Sequence, residues 1–201
     1  MPPVESTMMP LGTEAPHFDL PNTNPAFGGE RVSMSGLSDE GGPLVVAFLC
    51  NHCPFVVHVA DRLAEIARAY SAKGVSFVGI SSNDVATHPD DGPEKMTLEA
   101  EARGYAFPYL YDEDQSVARA YAAACTPDFF VFDAGRRLVY RGRMDETRPS
   151  DMAAATGADL TAALDAVIAG DMVSAEQRPS VGCGIKWKPG NRPANGTGRA
   201  G

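Results

Sequence analysis

The chain has 201 residues, of which 44% are hydrophobic and 21% are charged, a balance typical of one globular domain. Its formal net charge is -9. Phosphate-binding surfaces need clustered Lys and Arg, so we expect neither nucleic acid nor a membrane as partner. No apolar run approaches the roughly 20 residues that span a bilayer, and residues 1–10 lack a basic and then apolar secretory pattern. The expected location is the cytoplasm.

The first half of the chain predicts two buried strands around one amphipathic helix. Pro43–Leu49 is a continuous apolar run and predicts a strand that is buried on both faces. From Phe55 to Tyr70, apolar residues recur every three or four positions and predict a helix. Val75–Ile80 predicts a second buried strand. The polar loop at 81–92 is long for a compact domain, and such loops often border sites.

The second half continues the alternation and ends with a hairpin and a helix. Its predicted elements are helices at 94–103, 116–124 and 158–169, and strands at 109–111, 129–132 and 138–141. This order predicts an α/β fold with a central mixed sheet sandwiched by helices. We expect one domain at 11–187, with a flexible N-terminus at 1–10 and a flexible C-terminal tail at 188–201.

A Cys-x-x-Cys motif lies where the first buried strand gives way to the helix. Cys50, Asn51, His52 and Cys53 form it. Helix N-terminal N–H groups stabilise a thiolate, so we expect the pKa of Cys50 to lie below its reference of about 8.5, with His52 adding to the effect. The sequence predicts a thiol-disulfide oxidoreductase, in which Cys50 attacks a disulfide or accepts a dithiol and Cys53 resolves the mixed disulfide.

The alternative for a Cys-x-x-Cys pair is half of a zinc site. A structural zinc needs four ligands, usually from a second paired motif, and the other two cysteines, Cys125 and Cys183, stand alone in the sequence. His52, His58 and Cys125 could complete a site in principle. We therefore expect redox chemistry without a metal or cofactor, and we keep a non-catalytic metal-binding or adaptor module as an alternative.

Three separated motifs give the chain its resemblance to a known family. CNHCPFV at 50–56, CTPDFFVFD at 125–133 and GCGIKWKPGN at 182–191 resemble an uncharacterised peroxiredoxin-like family. That family is a branch of the thioredoxin superfamily, among the peroxiredoxin-like and thioredoxin-like reductases. The resemblance implies a thioredoxin-like fold with an N-terminal extension and a C-terminal tail. It also implies that the Thr126–Pro127 bond is cis and that Pro127 faces the cysteine pair. It further implies that Thr126 offers its backbone to a bound substrate chain.

The same resemblance carries departures. Peroxiredoxins place Thr or Ser three residues before the peroxide-reacting cysteine, whereas Ala47 stands three before Cys50, and Cys50 itself stands three before Cys53. Because that Thr or Ser hydroxyl is missing, a thiol-dependent peroxidase with Cys50 as the peroxidatic cysteine is the alternative enzyme and not the first prediction. Thioredoxins carry a buried Asp six residues before the first cysteine, where this chain has Leu44.

The remaining cysteines are possible accessory thiols. Cys125 directly precedes Thr126, and it is either a small buried hydrophobe or an exchange partner of the pair. Cys183 lies in a Gly-flanked stretch beside Trp187. That stretch either docks a third thiol over the site or packs through its Trp alone. The expected partners are a protein or small-molecule disulfide or dithiol, together with a reducing system of the thioredoxin or glutathione type.

Overall fold

A computed structural model describes residues 3–39 and 41–193 of the chain. The strands of this part are β1 (Val4–Glu5), β2 (Asp19–Pro21), β3 (Arg31–Ser33), β4 (Leu44–Phe48), β5 (Ser76–Ser81), β6 (Tyr109–Tyr111), β7 (Cys125–Thr126), β8 (Asp128–Phe132), β9 (Leu138–Gly142) and β10 (Val181–Gly184). The α-helices are α1 (Met34–Asp39), α2 (Pro54–Ser71), α3 (Pro93–Arg103), α4 (Ser116–Ala120) and α5 (Ala158–Ala169).

A five-stranded mixed sheet forms the centre, in the order β6-β5-β4-β8-β9. β4 runs parallel to β5, and β5 to β6, whereas β8 is antiparallel to both β4 and β9. Every residue of β4 and β8 is buried. This burial is what an apolar run such as that of β4 requires, because both of its faces meet packed side chains.

Two apolar clusters cover the two faces of this sheet. One contains both cysteines of the motif and the buried faces of α2, α3 and α5. The other contains the buried residues of α1 and α4. The helices therefore lie on both faces, and the predicted mixed sheet sandwiched by helices is confirmed.

The segments at the two ends of the described chain pair with each other. β1 pairs with β10, and β10 pairs with β7, so β10 is the middle strand of a separate three-stranded sheet. The structure thus differs from the predicted boundary at residue 10, because Val4 and Glu5 form ladder contacts with the domain. Lys188 also contacts the domain, donating its N–H to Gln115 Oε1 at 2.8 Å. Residues 194–201 of the predicted tail lie outside the described residues.

Two further local features bear on the prediction. α4 ends at Ala120, four residues before the predicted end, and Ala122 adopts a left-handed φ of 49° that interrupts helical geometry. Among the helices that the structure describes, none combines the length and apolar character that crossing a bilayer requires.

Candidate active site

The turn between β4 and α2 holds the cysteine pair. Cys50 follows the end of β4, and Cys53 is the N-cap of α2, with extended backbone angles of -72° and 123°. Pro54 occupies the first helical turn, where a missing N–H costs nothing. Cys50 is 1% exposed and Cys53 is 0% exposed. The pair is therefore closed to solvent in this structure.

Thr126 contacts both sulfurs through different oxygen atoms. Its Oγ1 lies 3.2 Å from Cys50 Sγ, and its carbonyl oxygen accepts a hydrogen bond from Cys53 Sγ at 3.3 Å. The Thr126–Pro127 peptide bond is cis, as the family resemblance implied. Thr126 and the motif are 76 residues apart in the chain, so only the pairing of β8 with β4 places them together.

The surroundings of the two sulfurs shift their pKa values in opposite directions. The pKa of Cys53 is lowered to about 5, first because the Cys50 thiol donates a hydrogen bond to its sulfur, and further because Cys183 and the backbone N–H of Val56 do so. The pKa of Cys50 is raised by that donation to Cys53, by burial and by the nearby Asp91 carboxylate, against the Thr126 hydroxyl, which lowers it. The prediction of a lowered pKa at Cys50 is thus wrong, because its interaction with Cys53, its burial and the Asp91 charge all raise that pKa.

Asp91 is a site residue that the sequence prediction did not name. Its buried carboxylate accepts hydrogen bonds from Asn51 N and Asn83 Nδ2, each at 2.8 Å, and its Oδ2 lies 2.8 Å from His52 Nδ1. Asp91 ends a short 3-10 turn in the predicted polar loop. The unusual length of that loop was the only sequence signal for it. His52 thus pairs with Asp91, and its side chain remains 31% exposed.

One cluster of possible metal ligands surrounds Cys50 in the described part of the chain. Ligand atoms of Cys50, His52 and Asp91 all lie within 4.8 Å of one another. The predicted alternative set is not assembled, since His58 Nε2 contacts Thr147 Oγ1 at 2.8 Å instead. Because the Asp91 carboxylate already has three partners, hydrogen bonding explains the cluster without an ion.

β10 brings Cys183 to the pair. In the ladder of β10 with β7, Cys183 is the direct partner of Thr126. Burial and, next to it, the neighbouring Cys53 sulfur raise the pKa of Cys183 to about 11. Unlike both cysteines of the motif, Cys183 is only partly buried. Trp187 packs against the cluster on the other face of the sheet, so this stretch docks through both groups.

Cys125 faces away from the pair. Its sulfur lies 3.8 Å from the carbonyl oxygen of Pro127 and 3.9 Å from that of Ser180, and it is fully buried. Burial raises its pKa well above the ordinary value. These surroundings fit the reading of Cys125 as a small buried hydrophobe.

An open groove adjoins the site on the side of Pro127. It has a volume of about 370 Å³, and Phe55, Pro127 and Val181 line the end nearest the motif. Neither sulfur of the pair lines it. The backbone of Thr126 is also occupied, because β10 forms the ladder that the resemblance assigned to a bound substrate chain.

A dithiol pair between a central strand and a helix, beside a cis-proline loop, defines a thioredoxin-like site for thiol chemistry. Residues 11–141 match the AhpC/TSA family. The chain therefore belongs to the AhpC/TSA family, whose members are thioredoxin-fold proteins of thiol-based redox chemistry.

Three comparisons show which known proteins the chain is similar to. An uncharacterized conserved protein from Geobacillus kaustophilus is 51% identical, with a TM-score of 0.89, over 94% of this chain and 98% of that protein. The protein named "Putative peroxiredoxin Rv2521" from Mycobacterium tuberculosis (strain ATCC 25618 / H37Rv) is 29% identical over 59% of this chain and 68% of its own length. A thiol:disulfide interchange protein of the thioredoxin family from Chlorobium tepidum TLS is 18% identical, with a TM-score of 0.57, over 80% of this chain and 99% of that protein, which supports the fold.

Proposed function

We propose that this protein is a thiol-disulfide oxidoreductase whose redox pair is Cys50 and Cys53. The observation that carries the proposal is the contact of both sulfurs with Thr126, through a hydroxyl at 3.2 Å and a carbonyl oxygen at 3.3 Å. Exchange with a disulfide needs one thiolate that attacks and a second thiol that can reach the mixed disulfide, and two sulfurs held against the same residue supply both.

The shared proton can sit on either sulfur, and the two arrangements have different roles. With the proton on Cys50, the anion rests on Cys53 at the N-cap of α2, which is the resting form that the lowered pKa of Cys53 supports. With the proton on Cys53, its S–H donates to the Thr126 carbonyl oxygen, and the Thr126 hydroxyl donates to the Cys50 thiolate. We assign the attack on substrate to this second form.

The proposed exchange has two steps. The Cys50 thiolate attacks one sulfur of a disulfide RSSR′, the substrate S–S bond breaks, and R′S⁻ leaves and takes up a proton. Cys53 then loses its proton and attacks Cys50 Sγ, so that RS⁻ leaves and the Cys50–Cys53 disulfide forms. An external dithiol restores the pair. Run in reverse, the same steps oxidise a dithiol substrate.

Disulfide reduction driven by dithiothreitol tests the proposal, with insulin and a small disulfide as parallel substrates. We expect turnover by the wild type and its loss, by at least about 100-fold, in Cys50→Ser and Cys53→Ser, because each variant lacks one sulfur of the exchange. Cys125→Ser is the matched control and should retain turnover. The proposal fails if the wild type turns over neither substrate and forms no Cys50–Cys53 disulfide on oxidation.

A thiol-dependent peroxidase is the second candidate. Membership of the AhpC/TSA family and the lowered pKa of Cys53 favour it. In this reaction a thiolate attacks hydrogen peroxide, hydroxide leaves to become water, and the sulfur becomes a sulfenic acid that a second thiol resolves. Peroxide consumption with dithiothreitol, combined with trapping of the sulfenic acid, measures the activity. Trapping on Cys50 supports the sequence-based assignment, and trapping on Cys53 supports the sulfur with the lower pKa.

A further inference from the structure

We propose that Cys183 is a third redox sulfur that carries the disulfide from the buried pair to the protein surface. This inference rests on the proposed function and deepens it. The starting observation is a problem of access. Cys50 is 1% exposed and Cys53 is 0% exposed, so an external reductant meets their sulfurs less readily than it meets a sulfur at the surface. Cys183 is partly exposed, and it is the direct ladder partner of Thr126, the residue that contacts both sulfurs of the pair.

The segment that carries Cys183, residues 178–188, is fixed to the domain along its length, and we call it the strap. Its β10 pairs with β1 on one side and β7 on the other. Beyond β10, Lys186 N donates to Asn83 Oδ1 at 2.8 Å, and Lys186 O accepts from Asp84 N at 2.8 Å. These contacts give Cys183 a fixed position opposite Thr126. A thiol held in a fixed position reacts with a neighbouring sulfur more readily than a thiol that must arrive by collision.

The side of the strap that faces the pair is set by strand geometry. Neighbouring residues of a strand point to opposite faces, and direct partners in an antiparallel ladder point to the same face. Thr126 points at the pair, so its partner Cys183 does too, whereas Cys125 points away. Cys183 is therefore the thiol that the ladder selects.

The proposed step is a balanced thiol-disulfide exchange within the chain. Cys183 loses its proton to solvent, and its thiolate attacks Cys53 Sγ in the Cys50–Cys53 disulfide. The Cys50–Cys53 bond breaks, the Cys53–Cys183 bond forms, and Cys50 leaves as a thiolate that takes up a proton. No electrons enter or leave in this step. An external dithiol then attacks the exposed Cys183 sulfur and reduces the new disulfide.

The electrostatics of the strap favour this order of events. In the reduced protein, burial raises the pKa of Cys183 most, and the neighbouring Cys53 sulfur and its negative charge raise it further. Once Cys53 is part of a disulfide, that charge is gone, while Lys186 continues to lower the pKa of Cys183. Cys183 thus becomes a better nucleophile when there is a disulfide to attack.

A pre-oxidised protein tests the relay. Wild type, Cys183→Ser and Cys125→Ser are oxidised, mixed with dithiothreitol, quenched by alkylation and mapped by mass spectrometry. We expect the Cys50–Cys53 disulfide to form in all three and its reduction to be at least about tenfold slower in Cys183→Ser alone. Reduction of Cys183→Ser at the wild-type rate would overturn the inference.

A second experiment measures whether the Cys53–Cys183 disulfide forms in a variant that cannot form the Cys50–Cys53 disulfide. In Cys50→Ser, oxidation should give a Cys53–Cys183 disulfide in most molecules, with Cys125 remaining alkylatable after unfolding. A Cys50→Ser protein that stays fully reduced at these positions counts against the relay. Failure of the proposed function has a different signature, because the wild type would then form no Cys50–Cys53 disulfide whatever the Cys50→Ser variant does.

Discussion

Thr126 acts on the two sulfurs in opposite senses. Its hydroxyl stabilises negative charge on Cys50, whereas its carbonyl oxygen stabilises the protonated form of Cys53. Asp91 acts against the hydroxyl, because its carboxylate raises the pKa of Cys50. The position of the shared proton therefore depends on these two side chains, and each can be changed separately.

Thr126→Val removes the hydroxyl and keeps the carbonyl oxygen. Because the hydroxyl lowers the pKa of Cys50, its loss should raise that pKa further and slow alkylation of Cys50 at pH 8 by about tenfold, the worth of one hydrogen bond to a charged group. Site-resolved alkylation across a pH series measures this effect. An unchanged pH profile at Cys50 would show that the hydroxyl does not stabilise the thiolate.

Asp91→Asn should move the same pH profile the other way. Without the negative charge, the pKa of Cys50 falls, and alkylation of Cys50 begins at lower pH. Asp90→Asn is the matched control, because Asp90 is an exposed neighbour on the same loop and should leave the profile in place. Site-resolved alkylation of Cys50 across the same pH series measures the shift. Equal profiles for the two variants would show that the Asp91 charge does not act on Cys50.

At the scale of elements, β10 is the part that closes the site. Gly182 lies so close to β7 that a Cβ atom there would stand 2.0 Å from the carbonyl oxygen of Thr126. Backbone atoms cannot yield as a flexible side chain can. Gly182 of the GCGIKWKPGN motif is therefore required by the tight docking of the strap against β7.

Gly182→Ala should push the strap away from β7. We expect the free energy of unfolding to fall by about 1–3 kcal/mol, as overpacking does, and alkylation of Cys50 and Cys53 to become faster as the pair opens. Gly184→Ala is the control, since the nearest atom to its Cβ would be the end of the Val4 side chain, at 3.2 Å, and the nearest backbone atom would be 3.9 Å away. Thermal unfolding and alkylation rates measure both effects, and equal behaviour of the two variants would contradict the close approach.

At the scale of the whole molecule, Asp128 links stability to pH. It is a fully buried carboxyl directly after Pro127, and among the described residues neither oxygen has a hydrogen bond of ordinary geometry, although Ser180 and the backbone N–H groups of Ala124 and Phe129 lie near it. Burial raises its pKa well above the ordinary value, so the folded state holds the proton more tightly than the unfolded chain. This contribution is fully present below the unfolded pKa and is lost as pH rises towards the folded pKa.

Asp128→Asn should flatten that pH dependence. Relative to wild type, the variant should gain stability as pH rises above about 4, with a slope of at most about 1.4 kcal/mol per pH unit for one proton. Urea unfolding at several pH values measures the difference between the two proteins. A difference that stays constant with pH would mean that Asp128 is ionised in the folded state.

The sequence by itself determined the central elements and the position of the cysteine motif, because both are written in local patterns. The apolar run of β4, the helical periodicity of α2 and the Cys-x-x-Cys between them need no distant residue to be recognised. What only the tertiary structure decided are the partners of the sulfurs. Asp91, Thr126 and Cys183 reach the pair through a 3-10 turn, a strand pairing and the docked strap, and no local spacing encodes these long-range contacts. The tertiary structure also decided the surroundings of each sulfur, because these depend on where α2 begins and on which groups lie beside Cys53.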